Sequence, residues 1–280
     1  MSVDAAHHWN GPEGAKWVEH QAWLDDWLEP FGEAALAEAA IRPGERVLDI
    51  GCGAGATTLA IADRIGFGGQ AVGVDISALL ITRAETHSRP RLSFVLADAA
   101  STDLDRLDPF DVLFSRFGVM FFRNPEAAFV VLRRRLRPGG RFVFVCWRSP
   151  HENDWAHLPL STVAEVVSAP PPSSEGPGPF SLQDRAGLKA LLVAAGFVDV
   201  RIRPFDHPIV FGRGVSREAA IDNAVALAFE IGPLSRILKD QPDEVLRRAA
   251  AAVWTAFATR ADATTVTLNG AAWVVSASNP

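Results

Sequence analysis

The stretch VLDIGCGAGATTLAIA, Val47 to Ala62, joins an apolar strand directly to a glycine-rich turn and then to a run of helix-forming residues. Glycines at Gly51, Gly53 and Gly55 let the backbone take left-handed angles and approach a ligand closely, and the free N–H groups of a helix starting at Ala56 face the same space. The spacing is Gly-x-Gly-x-Gly, with the acid Asp49 just before it. It differs from the G-x-G-x-x-G turn that admits a pyrophosphate. A carboxylate there repels a diphosphate and suits a ligand that carries an ammonium group and a ribose.

Outward from this turn the same grammar repeats. AVGVDIS, Ala71 to Ser77, is a short apolar strand ending at Asp75, 24 residues after Gly51. That is near the distance at which a ribose-binding acid follows a glycine turn. LSFVLADAA ends near Asp98, and PFDVLFSRFGVMFF passes Asp111 on its way to Ser115. Strands that each end in a polar group at one edge of a sheet describe the edge where open α/β sheets bind ligands.

In order over Arg46 to Trp147, the pieces VLDIGCGAG, GVDIS, LADAA, FDVLFSRFGVMFF and LRPGGRFVFVCW resemble a class I S-adenosylmethionine-dependent methyltransferase. RFGVMFF and CWR look most like the bacterial ubiquinone-biosynthesis-like small-molecule group. The resemblance implies that Asp49, Gly51, Cys52, Gly53 and Gly55 surround the methionine and ribose. It implies that Asp75, with Ile76 beside it, binds the ribose hydroxyls, that Asp98 and Ala99 meet the adenine, and that Ser115 and Arg116 lie near the sulfonium. The cofactor is then S-adenosyl-L-methionine and the product S-adenosyl-L-homocysteine. The implied fold is α/β and doubly wound: a seven-stranded, mostly parallel sheet with an antiparallel edge strand, plus N-terminal helices and a helical cap. As one methyltransferase domain over residues 1–280, it divides into an N-terminal helical lid (1–42), a cofactor-binding core (43–150) and a C-terminal half with a substrate cap (151–280, insertion about 215–262).

The flanking sequence is consistent with that plan. Apolar residues at helical spacing, including Trp17, Trp23, Trp27 and Phe31, predict helices after the Gly11-Pro12 turn, with Pro30 breaking them into two. The crossover EAAFVVLRRRLRPGG reads as a helix stopped by Gly139 and Gly140, its arginines Arg133 to Arg135 and Arg137 forming a solvated face. Ala169 to Ser181 is too rich in proline and glycine for a helix and reads as a linker or lid. A helix through Gly196, a strand from Val198, a helical section over Arg217 to Thr259 and a last strand, AAWVVSASN, complete the chain.

Composition sets bounds. With 280 residues, 48% of them hydrophobic, the chain can bury one large core, and a net charge of −6 leaves no basic footprint for nucleic acid. The two cysteines, Cys52 and Cys146, cannot build a disulfide framework, and adjacent His7 and His8 are no metal motif, so no metal is expected. No signal peptide or membrane-length apolar run is visible, which predicts a cytoplasmic monomer or homodimer acting on a small molecule.

Methyl transfer needs alignment and water exclusion, and a general base only when the nucleophile carries a proton. No catalytic group is fixed by the sequence. His20, Arg116 and His151 are candidates; His7, His8 and His157 could also face substrate, although a lone histidine near a helix start is more often a cap or a surface group. Trp9, Phe117, Met120, Phe121 and Trp147 are the expected walls of the acceptor pocket, with the helical section near Ala224 to Leu234 contributing. The function that the resemblance implies is methyl transfer to an O, N or C nucleophile of a small, largely apolar or aromatic metabolite. The alternatives are a non-catalytic S-adenosylmethionine-binding regulator and a protein-directed methyltransferase. Ser115-Arg116-Phe117-Gly118 stands where nucleic-acid amino methyltransferases carry an Asn/Asp-Pro-Pro-aromatic motif, which disfavours base methylation.

Overall fold

A computed structural model describes residues 9–101, 104, 107–167 and 176–280. His7, His8 and most of the segment expected as a linker lie outside the described residues. The chain forms two compact units. The first holds Met1–Trp147, Glu175–Phe205 and Ala272–Pro280; the second holds Arg148–Ser174 and Asp206–Ala271.

The strands are β1 (Arg46–Ile50), β2 (Gln70–Asp75), β3 (Leu92–Leu96), β4 (Phe110–Arg116), β5 (Leu136–Trp147), β6 (Val198–Arg213) and β7 (Thr265–Ser278). They form one sheet in the order β3-β2-β1-β4-β5-β7-β6. The pairs β1–β2, β1–β4, β2–β3 and β4–β5 are parallel. β7 runs antiparallel to β5, from Arg141 opposite Ser278 to Trp147 opposite Ala272. The expected doubly wound, mostly parallel sheet is borne out. The central strands read as unbroken apolar runs because parallel strands are covered on both faces.

The helices of the first unit are α1 (Pro12–Glu19), α2 (Gln21–Ala39), α3 (Ala56–Ile65), α4 (Ala78–Glu85), α5 (Pro125–Arg134) and, after α6 of the second unit, α7 (Arg185–Ala194). Phe129 of α5 packs on Phe142 and Phe144, while Phe31 of α2 packs on Trp147. Even and odd positions of a strand point to opposite sides, so α5 and α2 cover opposite faces of β5.

Two expectations need correction. Pro30 does not break the N-terminal helix: α2 runs through it, and the break falls at His20. An internal proline costs roughly 3 kcal/mol. Leu24, Trp27, Leu28, Phe31 and Leu36 of the same helix are all buried. At roughly 1.5–3 kcal/mol for each large apolar side chain, their burial outweighs that cost. Gly139 and Gly140 do not stop α5 either; they lie inside β5. Phe110 pairs with Leu136 and Val112 with Arg141, so three extra residues bulge out of β5, and Gly139 takes φ of 75° there. The bulge is pinned by Asn279, whose Nδ2 donates to the carbonyls of Leu136 and Arg137 and whose backbone N–H donates to Gly140.

The arginines of the crossover are a solvated face only in part: Arg134 and Arg137 are exposed, whereas Arg133 and Arg135 are taken into the fold. Arg133 donates to the Ala195 carbonyl and to Asn279 Oδ1, the buried Arg135 donates to the Ser101 carbonyl, and Arg137 pairs with Asp111 at 2.8 Å.

In the second unit, α6 (Asp154–Val163), α8 (Arg217–Glu230), α9 (Pro233–Leu238) and α10 (Asp243–Ala258) pack together. Asn153 is its buried hub. It donates to the carbonyls of Ser149 and Ala271, and its Oδ1 accepts from Ala271 N–H and Trp155 Nε1. Among the described residues no helix is long and apolar enough to cross a membrane.

Candidate active site at the carboxyl edge of the sheet

β1 ends at Ile50, and Gly51, Gly53 and Gly55 follow with φ of 66°, 55° and 96°, angles that disfavour any side chain. Their surroundings differ. A Cβ on Gly51 would lie 2.8 Å from Gly118 Cα and one on Gly55 2.9 Å from the Phe94 ring, so these two glycines are demanded by packing. A Cβ on Gly53 would meet nothing within 4 Å. Gly53 is thus the point where the turn opens onto free space, just before α3.

Asp49 lies under this turn with no solvent exposure. Its Oδ2 accepts from Thr57 Oγ1 at 2.6 Å and Thr58 Oγ1 at 2.7 Å, whereas Oδ1 is buried without a hydrogen-bond partner among the described residues. Burial raises its pKa from 3.8 to about 6, while the two threonine hydroxyls and the Arg116 cation pull it down. Asp75, at the end of β2, accepts from Gly53 N–H on Oδ2 and from Ser77 N–H on Oδ1, each at 2.9 Å. Burial pushes its carboxyl up, against those backbone donors. Each carboxylate oxygen keeps a further lone pair for a hydroxyl donor. Ile76 follows in the loop, its carbonyl taken by Asn10 Nδ2 at 3.3 Å.

At the end of β4, Ser115 Oγ donates to the Ile50 carbonyl at 2.8 Å and accepts from Gly118 N–H at 3.1 Å, which fastens the end of β1 to the turn after β4. Gly118 is required there, because a Cβ on it would lie 2.6 Å from Ile50 O. Asp98 follows β3, its Oδ1 accepting from Ala100 N–H at 2.9 Å, with Ala99 buried beside it. Cys52 is a buried free thiol whose pKa burial and the neighbouring Asp75 and Asp49 carboxylates raise, so it stays protonated; Cys146 is buried and free as well.

The expected pocket aromatics fall into two groups. Phe117 and Trp147 are buried and stacked, with ring centroids 4.0 Å apart and planes 18° apart. Phe117 holds φ of 60°, an uncommon angle for a bulky residue, at the turn out of β4. Met120 is buried, and its Sδ accepts from Trp147 N–H at 3.4 Å. Trp9 and Phe121 are half-buried and meet edge to face at 5.2 Å, with Trp17 on Trp9 at 5.5 Å.

Arg116 pairs with Asp25 of α2 at 2.6 Å, while Asp111 is taken by Arg137. His20 sits at the junction of α1 and α2. His151 belongs to the second unit, where its exposed ring lies 4.7 Å from that of His157. Ala224 to Leu234 belong to that unit too. Sequence reading missed Thr57 and Thr58, Asp25 and Gly118. The two threonines carry a usable signal, hydroxyls in the first turn of a helix that starts at the end of an acid-bearing strand; Asp25 carries none.

Residues 48–144 match the model of a methyltransferase domain family. The chain is 32% identical over 191 residues to nocamycin O-methyltransferase of Saccharothrix syringae, covering 63% of this chain and 67% of that protein. It is 31% identical over 190 residues to demethylmenaquinone methyltransferase of Beutenbergia cavernae, covering 63% of this chain and 75% of that protein. Among solved structures, phosphoethanolamine N-methyltransferase 2 of Haemonchus contortus in complex with S-adenosyl-L-methionine superposes with a TM-score of 0.52 at 17% identity. That match covers 90% of this chain and 52% of the other, and it describes a shared fold.

A mostly parallel sheet with a glycine turn after β1 and a carboxylate at the end of β2 has the architecture of an open α/β ligand-binding protein. With these relatives, the chain belongs to the class I S-adenosylmethionine-dependent methyltransferases. It is an enzyme of that class, and S-adenosylmethionine is its cofactor.

Proposed function

We propose that this enzyme methylates an oxygen, nitrogen or carbon nucleophile of a small metabolite with a largely apolar or aromatic body. We propose further that Asp75 holds the cofactor ribose. The observation that carries this reading is the Asp75 carboxylate, already fixed by Gly53 and Ser77 N–H groups and lying beside the open face of Gly53. The carboxylate is pre-oriented before any ligand arrives, so two hydroxyls can bind without further ordering of the loop.

In this reading the unpartnered Oδ1 of Asp49 is the acceptor for a donor on the methionine portion, in the space that Gly51, Cys52, Gly53 and Gly55 enclose. Asp98, Ala99 and Ile76 bracket the adenine. Ser115 acts through its two hydrogen bonds, holding the two strand ends at fixed separation. Bound S-adenosylmethionine supplies a methyl group on a positively charged sulfur, already activated for displacement. The chain's task is then to aim the nucleophile and keep water out.

Phe121 and Trp9 offer ring surface to an apolar acceptor, while Phe117, Met120 and Trp147 form the packed layer that supports them. Two named relatives fit an acceptor of this kind: demethylmenaquinone methyltransferase and the 2-phytyl-1,4-naphtoquinone methyltransferase of Trichormus variabilis. An acceptor that reaches the enzyme ionised needs no base; a protonated one would draw on His20. Arg116 is already paired with Asp25, so in this reading it holds α2 to the end of β4 and is not the base. A cytoplasmic monomer or homodimer is part of the same reading.

The test is calorimetric titration of S-adenosylhomocysteine into wild-type protein and Asp75→Ala, with a panel of phenolic, quinol, amine and carboxylate acceptors assayed for S-adenosylhomocysteine release. Charge-assisted hydrogen bonds contribute roughly 1.5–3 kcal/mol each, so Asp75→Ala weakens binding by at least about tenfold. Unchanged affinity in a folded variant removes Asp75 from the site, and turnover confined to charged hydrophilic acceptors refutes the apolar pocket.

A further inference from the structure

The first described residues of the chain are tied to the loop that carries Asp75. Asn10 Oδ1 accepts from Ala78 N–H at 2.7 Å, and Asn10 Nδ2 donates to the Ile76 carbonyl at 3.3 Å. One side chain thus grips the backbone on both sides of Ser77, 66 and 68 residues away in sequence. Ser77 is held from a second direction, because its Oγ donates to the Trp9 carbonyl at 2.8 Å. Ser77 in turn donates its N–H to Asp75 Oδ1 at 2.9 Å, and Asp75 Oδ2 accepts from Gly53. The connections run unbroken from Trp9 and Asn10 through Ser77 to both oxygens' surroundings at Asp75. Trp9 also extends the other way, its ring meeting Phe121 after β4 at 5.2 Å.

We infer that Asn10 and Trp9 are positioning residues for the cofactor: they fix the rotamer and height of the Asp75 carboxylate and link that loop to the aromatic side chain on the acceptor side. The inference rests on the reading that Asp75 binds the ribose. The loop joins β2 to α4, which takes its cap at Ser77, and Ser77 is fully buried. The loop backbone needs an outside partner to hold a carboxylate to the few tenths of an ångström that two simultaneous hydroxyl bonds demand. Asn10 supplies that partner with an acceptor for the α4 N–H and a donor for the carbonyl before it, a pairing no charged side chain can make.

The experiment uses the full-length chain and four proteins: wild type, Asn10→Ala, Asp75→Asn and the double variant. Calorimetry with S-adenosylhomocysteine reads the affinity, unfolding temperature reads the fold, and initial rates with a working acceptor separate KM for S-adenosylmethionine from kcat. Two hydrogen bonds each worth a few-fold predict a roughly tenfold weaker affinity for Asn10→Ala, carried in KM for the cofactor with kcat changed less than about twofold. In the Asp75→Asn background the same substitution should weaken binding by less than about twofold, because the group it positions has lost its charge. A merely structural Asn10 would give equal losses in both backgrounds, and that result overturns the inference. Full affinity in Asn10→Ala beside a large loss in Asp75→Asn also overturns it and leaves the ribose reading standing. Full affinity in Asp75→Asn overturns both.

Discussion

Replacing Asp49 by asparagine should flatten the protein's loss of stability between acid and neutral pH. The carboxyl is fully buried with one oxygen unpartnered, and its pKa in the folded chain is about 6 against 3.8 for the ordinary side chain. A carboxyl whose folded pKa is raised binds its proton more tightly in the native state. It therefore contributes stability below the unfolded value and loses that contribution as pH climbs through the folded one. The whole gap corresponds to about 3 kcal/mol, of which roughly half is lost between pH 5 and pH 8. An asparagine does not titrate. Whatever the constant cost of burying its amide, the stability of Asp49→Asn relative to wild type should rise by about 1 kcal/mol over that interval. Urea unfolding of both ligand-free proteins at pH 5, 6, 7 and 8, followed by circular dichroism, measures the difference directly. A difference that stays constant across the series would show that Asp49 is ionised throughout, and the burial argument would be wrong. Titration with S-adenosylhomocysteine at pH 8 completes the test, because exchanging the unpartnered oxygen for an amide should weaken binding even where the stability of the ligand-free variant relative to wild type is highest.

The two kinds of glycine in the site should separate cleanly. Gly53→Ala places a methyl group in open space at φ 55°, so it should cost only about 1 kcal/mol of stability but weaken S-adenosylhomocysteine binding by an order of magnitude or more. Gly118→Ala drives a methyl to 2.6 Å from the Ile50 carbonyl and should lower stability by roughly 1–3 kcal/mol; the reverse ranking in thermal melts and calorimetry would contradict the geometry. Asn153→Ala strips the second unit of four buried hydrogen bonds and should destabilise by about 3 kcal/mol in urea unfolding, a loss that Asn153→Asp should not recover because the Ser149 and Ala271 carbonyls still lack a donor.

Much of the fold was legible because it is written locally. Val47 to Ile50 and Ala71 to Val74 are covered on both faces and read as apolar runs; the positive-φ turn demands glycine; and α8 to α10 follow the helical periodicity expected over Arg217 to Thr259. The misreadings share one cause, partners that come from far along the chain. Pro30 is tolerated because the helix around it is buried, and Gly139 and Gly140 make a bulge because Asn279 is there to receive it. Arg116 finds Asp25, 91 residues away, while the nearer Asp111 is occupied by Arg137 and by the Arg46 N–H. At the site, sequence alone brought the acids and glycines to one edge. The hydroxyls of Thr57 and Thr58 at the start of α3 were there to be read, but not that both would fall on one oxygen of Asp49 and leave the other bare, since that depends on the pitch of α3 against β1.

The slot that β7 occupies, between β5 and β6, sets the order of synthesis against the order in space. When a ribosome has delivered everything through β6, the flank of β5 from Arg141 to Trp147 still awaits its neighbour. That flank is Phe142, Val143, Phe144, Val145 and Cys146, a segment of high β-propensity without a charge or proline to guard it. Each nascent chain therefore passes through a stage in which its most adhesive strand lies uncovered, for as long as it takes to translate the helices of the second unit and β7. Chains cut short before Thr265 are for that reason candidates for capture by chaperones or inclusion bodies, and their fate is decided by an exposed strand edge before any question of cofactor or catalysis arises.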